Sequence, residues 1–447
     1  MKAKPSSSPL RRWLRHLFLA LLAGLMAGGA ALAAALWQLD ATPREWARWL
    51  SSRGSKESGL LRASTLTLAQ GLDGLDRGAQ LARPDYPALT TPPASALVPP
   101  LRVVRVSSSD ELVRAITAAL PGDRIDIAAG HYRFKGESVQ VRAPGTDQAP
   151  IVVRAEQLGS VRLDFDIVEG FHVSAPHWRF ENLEIHGACR DDSDCEHAFH
   201  IVSAAKDTRI EHCRLVDFNA PIKINGENGS FPDRGRIEAS ELFATRGRET
   251  ANAVTFIDLV AASGWRIERN LIADFVKLDG DHISYGAFAK GAGEGNVFAR
   301  NLVLCEQRLR GLRGARVGLS LGGGGSGASY CRDGACIVEQ QAGRIEGNLI
   351  AQCSDAGIYL NRAAQSIVSD NQLLDTAGID GRYPETAADL SGNIVDGLVR
   401  ARQQALLHEQ NDRASPRLDA LAGRHPLRAK LCASVAEFKA LASCTAP

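Results

Sequence analysis

One six-residue arrangement of apolar and polar positions recurs down this chain: an apolar residue, two spacers, Asn, then two apolar residues. It occurs as Ile267-Glu268-Arg269-Asn270-Leu271-Ile272, as Phe298-Ala299-Arg300-Asn301-Leu302-Val303 and as Ile345-Glu346-Gly347-Asn348-Leu349-Ile350. Looser copies follow around Asn371 and Asn393, and degenerate ones precede with Cys213 and Ser240 in the Asn slot. From Cys213 to Asn393 the steps are 27, 30, 31, 47, 23 and 22 residues. Periods in this range mark solenoids, propellers or arrays. Each copy has the length of a short strand, and Gly, Asn and Asp punctuate the gaps. The pattern predicts an all-β parallel β-helix with one repeat per coil. Such a coil buries its apolar side chains only against its neighbours. Asn at a fixed turn position suits left-handed backbone, and stacked copies can bond from coil to coil as an Asn ladder. The 47-residue step predicts an inserted loop.

The pattern changes at both ends of the repeats. Residues 108–120 have helical periodicity, with Ser108 and Glu111 as a capping box and Leu112, Ile116 and Leu120 on one face. Pro121-Gly122-Asp123 ends that helix, and Arg124-Ile125-Asp126-Ile127 alternates as a strand. A solenoid needs its open end covered, so the helix is predicted to be the N-terminal cap. Residues 398–407 look helical, and the tail mixes helix with polar loop, covering the far end or lying along the flank. Residues 41–100, with Thr91-Pro92-Pro93 and Pro99-Pro100, have the composition of a flexible linker. Within it, Thr42 and Glu45 make a capping box for a short helix reaching Leu50, with Pro43 at its first position. The division is 1–40 basic segment and anchor, 41–100 linker, 101–397 β-helix, and 398–447 capping tail.

Leu17 to Trp37 holds no charged residue, and Lys2, Lys4, Arg11, Arg12 and Arg15 precede it. Those 21 residues suffice to cross a bilayer core, which takes about 20. The basic flank would stay cytoplasmic, which predicts a single-pass inner-membrane anchor with the β-helix in the periplasm. A cleaved signal peptide is the alternative, since Ala33-Ala34-Ala35 offers a small-residue cleavage site. Nine cysteines agree with an oxidising compartment. Cys189/Cys195, Cys331/Cys336 and Cys432/Cys444 are close enough in sequence to staple loops or the tail. Cys305 and Cys353 each follow a repeat Asn and would meet on neighbouring coils, leaving Cys213 over. No pair of CxxC units suggests zinc. The net charge of +1 gives no pull toward nucleic acid, which is not expected as a partner.

Residues 110–132, from the capping helix through Pro-Gly-Asp and the alternating strand to Ala129-Gly130-His131-Tyr132, resemble the opening coil of right-handed β-helix polysaccharide lyases. Ile283-Ser284, with Asn296-Val297 after it, is similar to the catalytic strand of the alginate-lyase and chondroitinase-B family within the pectate-lyase-like superfamily. The resemblance covers residues 101–395 at the level of coil pattern. It implies a right-handed β-helix acting on an acidic polysaccharide, with a lysine base, a partnering arginine and an acidic cation-binding cluster. Alignment puts Gly286 where the lysine stands, and Lys290 is the nearest lysine. The segment expected to hold the arginine reads Gly318-Leu319-Ser320-Leu321-Gly322-Gly323-Gly324-Gly325, with no arginine in it.

Aligning the strands that precede each repeat Asn brings Asn225, Asp258, Lys290 and Asn361 to similar positions on successive coils. Coils stack about 4.8 Å apart, so these residues would form an outward polar column able to follow a sugar polymer. Removing a proton α to a uronate carboxylate needs a base and a neutralising group. Lys290 beside Asp258 is the candidate base, with Lys277, Arg308, Arg310 or Arg313 as neutralising cation; an ion-paired surface lysine is the alternative. Asn225, Lys277 and Asn361 are candidate substrate contacts. Lys277-Leu278-Asp279-Gly280-Asp281-His282 is the densest polar knot. Asp279 and Asp281 supply hard oxygen ligands at alternate positions, a candidate Ca2+ site, or else form a tight Asp-Gly turn. His282 is a candidate general acid or base. Glu196, His197 and His200 follow the Cys189/Cys195 pair and could be held there as binding residues. The glycine run 322–325 lacks the phosphate-loop spacing and suits close approach of a loop or substrate. Few aromatic residues fall near the column, which weighs against stacking. The function expected is lyase or epimerase on an acidic polysaccharide, with a non-catalytic glycan-binding or structural envelope β-helix as alternative.

Overall fold

The computed structural model describes residues 9–38, 43–54, 58–74, 99–323, 326–415, 426–439, 441 and 444. They fall into two units, residues 1–42 and 43–447. The first unit contains helix α1 (Pro9–Gln38). Its segment Trp13–Ala31 has a mean hydropathy of 1.5 and is long and apolar enough to cross a membrane.

The second unit is a right-handed parallel β-helix. Its described strands make three long stacked parallel sheets of 12, 10 and 11 strands, each taking one strand per coil, together with a short parallel sheet of three strands. Inward positions carry Ile, Val, Leu and Phe, which fuse into one continuous core. Phe165, Phe171, Phe180 and Phe199 are fully buried and stack from coil to coil, as at Phe171–Phe199, 5.3 Å between centroids.

The recurrent six-residue arrangement is a corner, where the chain leaves the twelve-stranded sheet for the eleven-stranded one. Arg266–Glu268 is a strand of the former and Leu271–Ala273 of the latter, with Asn270 between them. The left-handed residue lies one place before the expected Asn: Arg269 has φ 55°, Arg300 53° and Asp370 55°. That placement leaves the Asn amide free to join coils. Asn270 N accepts no role in the turn and instead donates to Asn301 Oδ1 at 3.0 Å. Asn301 N donates to Asn348 Oδ1 (2.9 Å), Asn348 N to Asn371 Oδ1 (3.0 Å) and Asn371 N to Asn393 Oδ1 (3.0 Å). Ser240 Oγ continues the ladder by accepting from Cys213 N at 3.1 Å. Cys213 is buried and free, and burial pushes its thiol up to about 12.

Helix α4 (Ser109–Thr117) is the N-terminal cap; it ends three residues earlier than its periodicity suggests. Ser108 Oγ accepts from Glu111 N, and Glu111 Oε2 accepts from Ser107 N at 2.8 Å. Leu112 and Ile116 are fully buried in the coil core. Between α1 and the β-helix in sequence, α2 (Pro43–Gly54) is the short helix expected after Thr42, four residues longer than its pattern suggests, and α3 (Gly59–Gly74) is a second helix in the segment. The proline-rich residues 91–98 lie outside the described residues. The helix expected at 398–407 is instead two strands, Leu398–Arg402 and Leu406–Gln410, and coils continue to Ala414 rather than stopping at Val395. Pairing with the previous coil decides this, since Leu398 and Val399 sit in register with Gly378 and Ile379.

The tail then runs along the flank. In α5 (Pro426–Ser434) and the turn after it, Leu431, Val435, Phe438 and Leu441 pack on Leu271, Leu302, Leu304 and Leu374 of the eleven-stranded sheet. The disulfides are Cys189–Cys195, Cys305–Cys353, Cys331–Cys336 and Cys432–Cys444.

Candidate active site

Each long sheet has one outward face, and the three differ in chemistry. The eleven-stranded sheet is covered by the tail over much of its length. The twelve-stranded sheet stacks Arg209, Arg236 and Arg266 in one row and Glu211, Glu238 and Glu268 two residues on, so its charges offset each other. The ten-stranded sheet carries mixed polar, charged and aromatic side chains. Its strands are β1 (Val139–Val141), β2 (Glu169–Val173), β3 (His197–Val202), β4 (Ile222–Asn225), β5 (Val254–Val260), β6 (Ile283–Lys290), β7 (Ala315–Leu321), β8 (Ile358–Asn361), β9 (Gly378–Arg382) and β10 (Leu398–Arg402).

Register divides this face into two rows. Asn225, Val260 and Lys290 are paired in turn, Gly322 follows the Ala289–Leu321 pair, and Asn361 pairs with Arg382. Asn225, Lys290 and Asn361 therefore share a row, with Lys290 roughly 10 Å, two strand spacings, from each. Asp258 does not belong to it. It stands two residues back, in a row with His200, Lys223, Phe288, Ser320 and Tyr359. Its partner is Lys223, whose Nζ donates to Asp258 Oδ2 at 2.6 Å, while Asp258 Oδ1 is buried and unpartnered among the described residues.

Lys290 is half-buried, with its Nζ 4.4 Å above the Phe288 ring. Among the described residues its ammonium makes no hydrogen bond or ion pair. Burial pushes it below the ordinary lysine value; Asp258 opposes that shift and Lys223 adds to it. The row position next to Lys290 belongs to Gly322 (φ 72°), and a side chain on Gly323 would reach within 3.0 Å of Lys290 Cδ. The described part of the glycine run thus leaves open the space beside the amine. On the far side of that space Asn361 donates to Tyr359 Oη (2.9 Å), and Asn361 Oδ1 is buried without a partner among the described residues. Arg382 Nη1 also reaches Tyr359 Oη, at 3.4 Å.

The polar knot at the start of β6 belongs to a different place. The eight residues from Ile283 to Lys290 extend over roughly 23 Å, so His282 and Lys290 cannot act on one bond. Lys277 is buried and donates to Asp281 Oδ1 at 2.8 Å. Asp279 Oδ1 accepts from Gly280 N at 2.7 Å. Lys277 and Asp281, one a candidate substrate contact and the other a candidate Ca2+ ligand, are thus each other's partners. His282 has φ 57° at this turn, and burial lowers its imidazole, with Arg313 next in effect. Of the arginines expected to neutralise a carboxylate, Arg308 is held by Asp274 and Arg310 is buried with Asp375, whereas Arg313 is exposed and reaches Leu278 O only at 3.5 Å.

Of the disulfide-linked group, Glu196 accepts from Asn219 and Asn252, and His197 donates through Nδ1 to Ala220 O. Burial pushes His197 down to about 4. His200 faces outward beside Glu169 and His172. Lys223, Phe288, Tyr359 and Arg382 were not singled out by sequence reasoning. Tyr285 and Phe288 meet edge to face at 5.5 Å, with Phe231 packed beside them, which corrects the expectation of few aromatics near the column.

Parallel β-helices among solved structures are similar to this chain. A pectate lyase, Pel9A, is 14% identical, with 73% of this chain and 81% of that one covered at a TM-score of 0.41. A rhamnogalacturonan lyase is 13% identical over 70% and 87%, at a TM-score of 0.49. A PL6 family polysaccharide lyase from Pseudopedobacter saltans is 12% identical over 77% and 100%, at 0.39. No family model and no curated protein matches the chain. Identities this low concern the fold and not the side chains on its face.

Proposed function

We propose that the outward face of the ten-stranded sheet binds an acidic polysaccharide and that Lys290 removes the proton α to a uronate carboxylate, as a lyase or an epimerase. The observation that carries this reading is the Lys290 amine: half-buried beside the Phe288 ring, without a polar partner among the described residues, and held below the ordinary lysine value by burial. A base must shed its own proton before it can take another, and desolvation favours the neutral amine. Asp258 and Lys223 supply a paired charge next to it. Arg382, three strand spacings or roughly 14 Å from Lys290, suits the carboxylate of a neighbouring sugar. Asn225 and Asn361 suit hydroxyl contacts. The test is a panel of uronate polymers, read by absorbance of unsaturated product for a lyase and by α-proton exchange for an epimerase. Absence of both signals across the panel sinks the catalytic reading.

A non-catalytic glycan-binding surface is favoured by one observation, the aromatic group Phe231, Tyr285 and Phe288 on the same face. Polymer retention without turnover would select it.

The same proposal places α1 in the inner membrane and the β-helix in the periplasm. Support comes from the apolar stretch Trp13–Ala31 and four disulfides. Fractionation is expected to leave the full-length chain in the inner-membrane pellet through salt and carbonate washes. A shortened soluble chain beginning near Leu36 would overturn the anchor.

A further inference from the structure

A second cluster lies on the same face, its members three and four strand spacings, roughly 14–19 Å along the stack, from the strand of Lys290. Glu169 and His172 stand on β2, and His200 stands on β3 in register with His172. Glu169 Oε2 lies 3.1 Å from His172 Nδ1, and Glu169 Oε1 lies 2.7 Å from His200 Nδ1. One ligand atom from each residue falls within 4.8 Å of the others. The two imidazole rings cross nearly at right angles, 5.3 Å between centroids.

The hydrogen-bond network fixes how His200 presents itself. Asn225 Nδ2 donates to Gly226 O at 3.1 Å, so Asn225 Oδ1 is the atom facing His200 Nε2 at 2.7 Å. A carbonyl oxygen requires a donor, so Nε2 carries the proton. In the neutral ring Nδ1 then points its lone pair at a carboxylate oxygen, a repulsive contact unless a positive centre lies between them. That centre is either a second proton or a metal ion. An imidazole whose outer N–H is held by an oxygen acceptor, with the other nitrogen beside a carboxylate, is the arrangement of metal-bound histidine.

We propose that Glu169, His172 and His200 form a binding site for a divalent first-row transition metal, with Zn2+ as the probe. Two imidazoles and one carboxylate select such an ion over Ca2+ or Mg2+, which take oxygen sets. Metal–ligand distances of about 2.0–2.2 Å require only small adjustments of the observed Glu–His spacings. The side chains are 18–25% exposed, so remaining coordination positions open outward, as in sites that bind a further ligand. On the uronate reading those positions would take a substrate carboxylate or hydroxyl; retention of the ion does not depend on that reading.

The experiment uses the detergent-solubilised full chain, stripped with chelator and titrated with Zn2+ by calorimetry and elemental analysis. One ion per chain is expected, with a raised melting midpoint. Co2+ in its place is expected to give visible d–d absorption. His172→Ala with His200→Ala should abolish stoichiometric binding, and Asn225→Ala should weaken it by about 10–100-fold. Glu169→Gln, nearly isosteric, keeps the test open should the double variant fail to fold. No bound ion in the stripped and titrated wild type overturns the site and leaves the second proton as the positive centre. Unchanged Zn2+ binding in folded variants, or Ca2+ displacing Zn2+ at equal concentration, overturns it as well.

Discussion

Lys290→Ala is expected to lower turnover of a uronate polymer by about 10²–10⁴-fold, the usual contribution of a positioned acid or base. Its melting midpoint should stay the same or rise slightly, because the amine is half-buried without a polar partner among the described residues and its removal relieves desolvation. Lys290→Arg should not rescue, since a guanidinium stays protonated. The pH profile gives an independent check with a definite sign. Lys290 must be neutral to accept a proton, so rate rises with pH through its pKa. Burial holds that pKa below 10.5, and Asp258 partly restores it. Asp258→Asn removes the restoring charge and leaves Lys223 uncompensated, so the rise should move to lower pH. Turnover retained in Lys290→Ala, with unchanged melting, would take this residue out of the mechanism.

Asn301→Ala is expected to destabilise the β-helix by about 3–5 kcal/mol, measured by urea unfolding. Asn301 Nδ2 donates to Ile267 O and Asn348 Oδ1, both at 2.9 Å, and its Oδ1 accepts from Asn270 N and Nδ2, both at 3.0 Å. Truncation leaves two Asn270 donor hydrogens unpaired and takes one donor each from Ile267 O and Asn348 Oδ1, where the side chain was fully buried. Each buried orphan costs about 1–3 kcal/mol, and relaxation recovers part of the sum. Asn301→Ser should cost roughly half as much, because Ser240 shows that a hydroxyl can serve the slot, accepting from Cys213 N and donating to Glu238 O. A cost below about 1 kcal/mol for the alanine variant would show that the ladder records register without stabilising it.

The fold was legible because the corner repeats. Every coil meets the same demand there, a left-handed residue followed by an amide that reaches the coils on both sides, so the residue type returns with the period. The Cys305–Cys353 pair was legible for the same reason, since both follow a ladder position. The candidate site was only partly legible. Asn225, Lys290 and Asn361 were placed in one row, yet Asp258 was put with them because strands were aligned from the Asn corner. The segment between strand and corner varies among coils, so counting from the corner does not preserve register. Arg382 and Tyr359 carried a usable signal in the outward alternation of β8 and β9, which that alignment passed over.

Composition, period and the corner amide determined by themselves that this chain is a stack of coils, because those features act between residues close in sequence or one coil apart. The tertiary structure alone decided which polar residues meet. It separated His282 from Lys290 by the length of one strand, gave Asp258 to Lys223, tied Lys277 to Asp281, and brought Glu169 and His172 against His200. The physical reason is that a side chain's neighbours on the outer face come from other coils, and the loops between coils set which residues face each other.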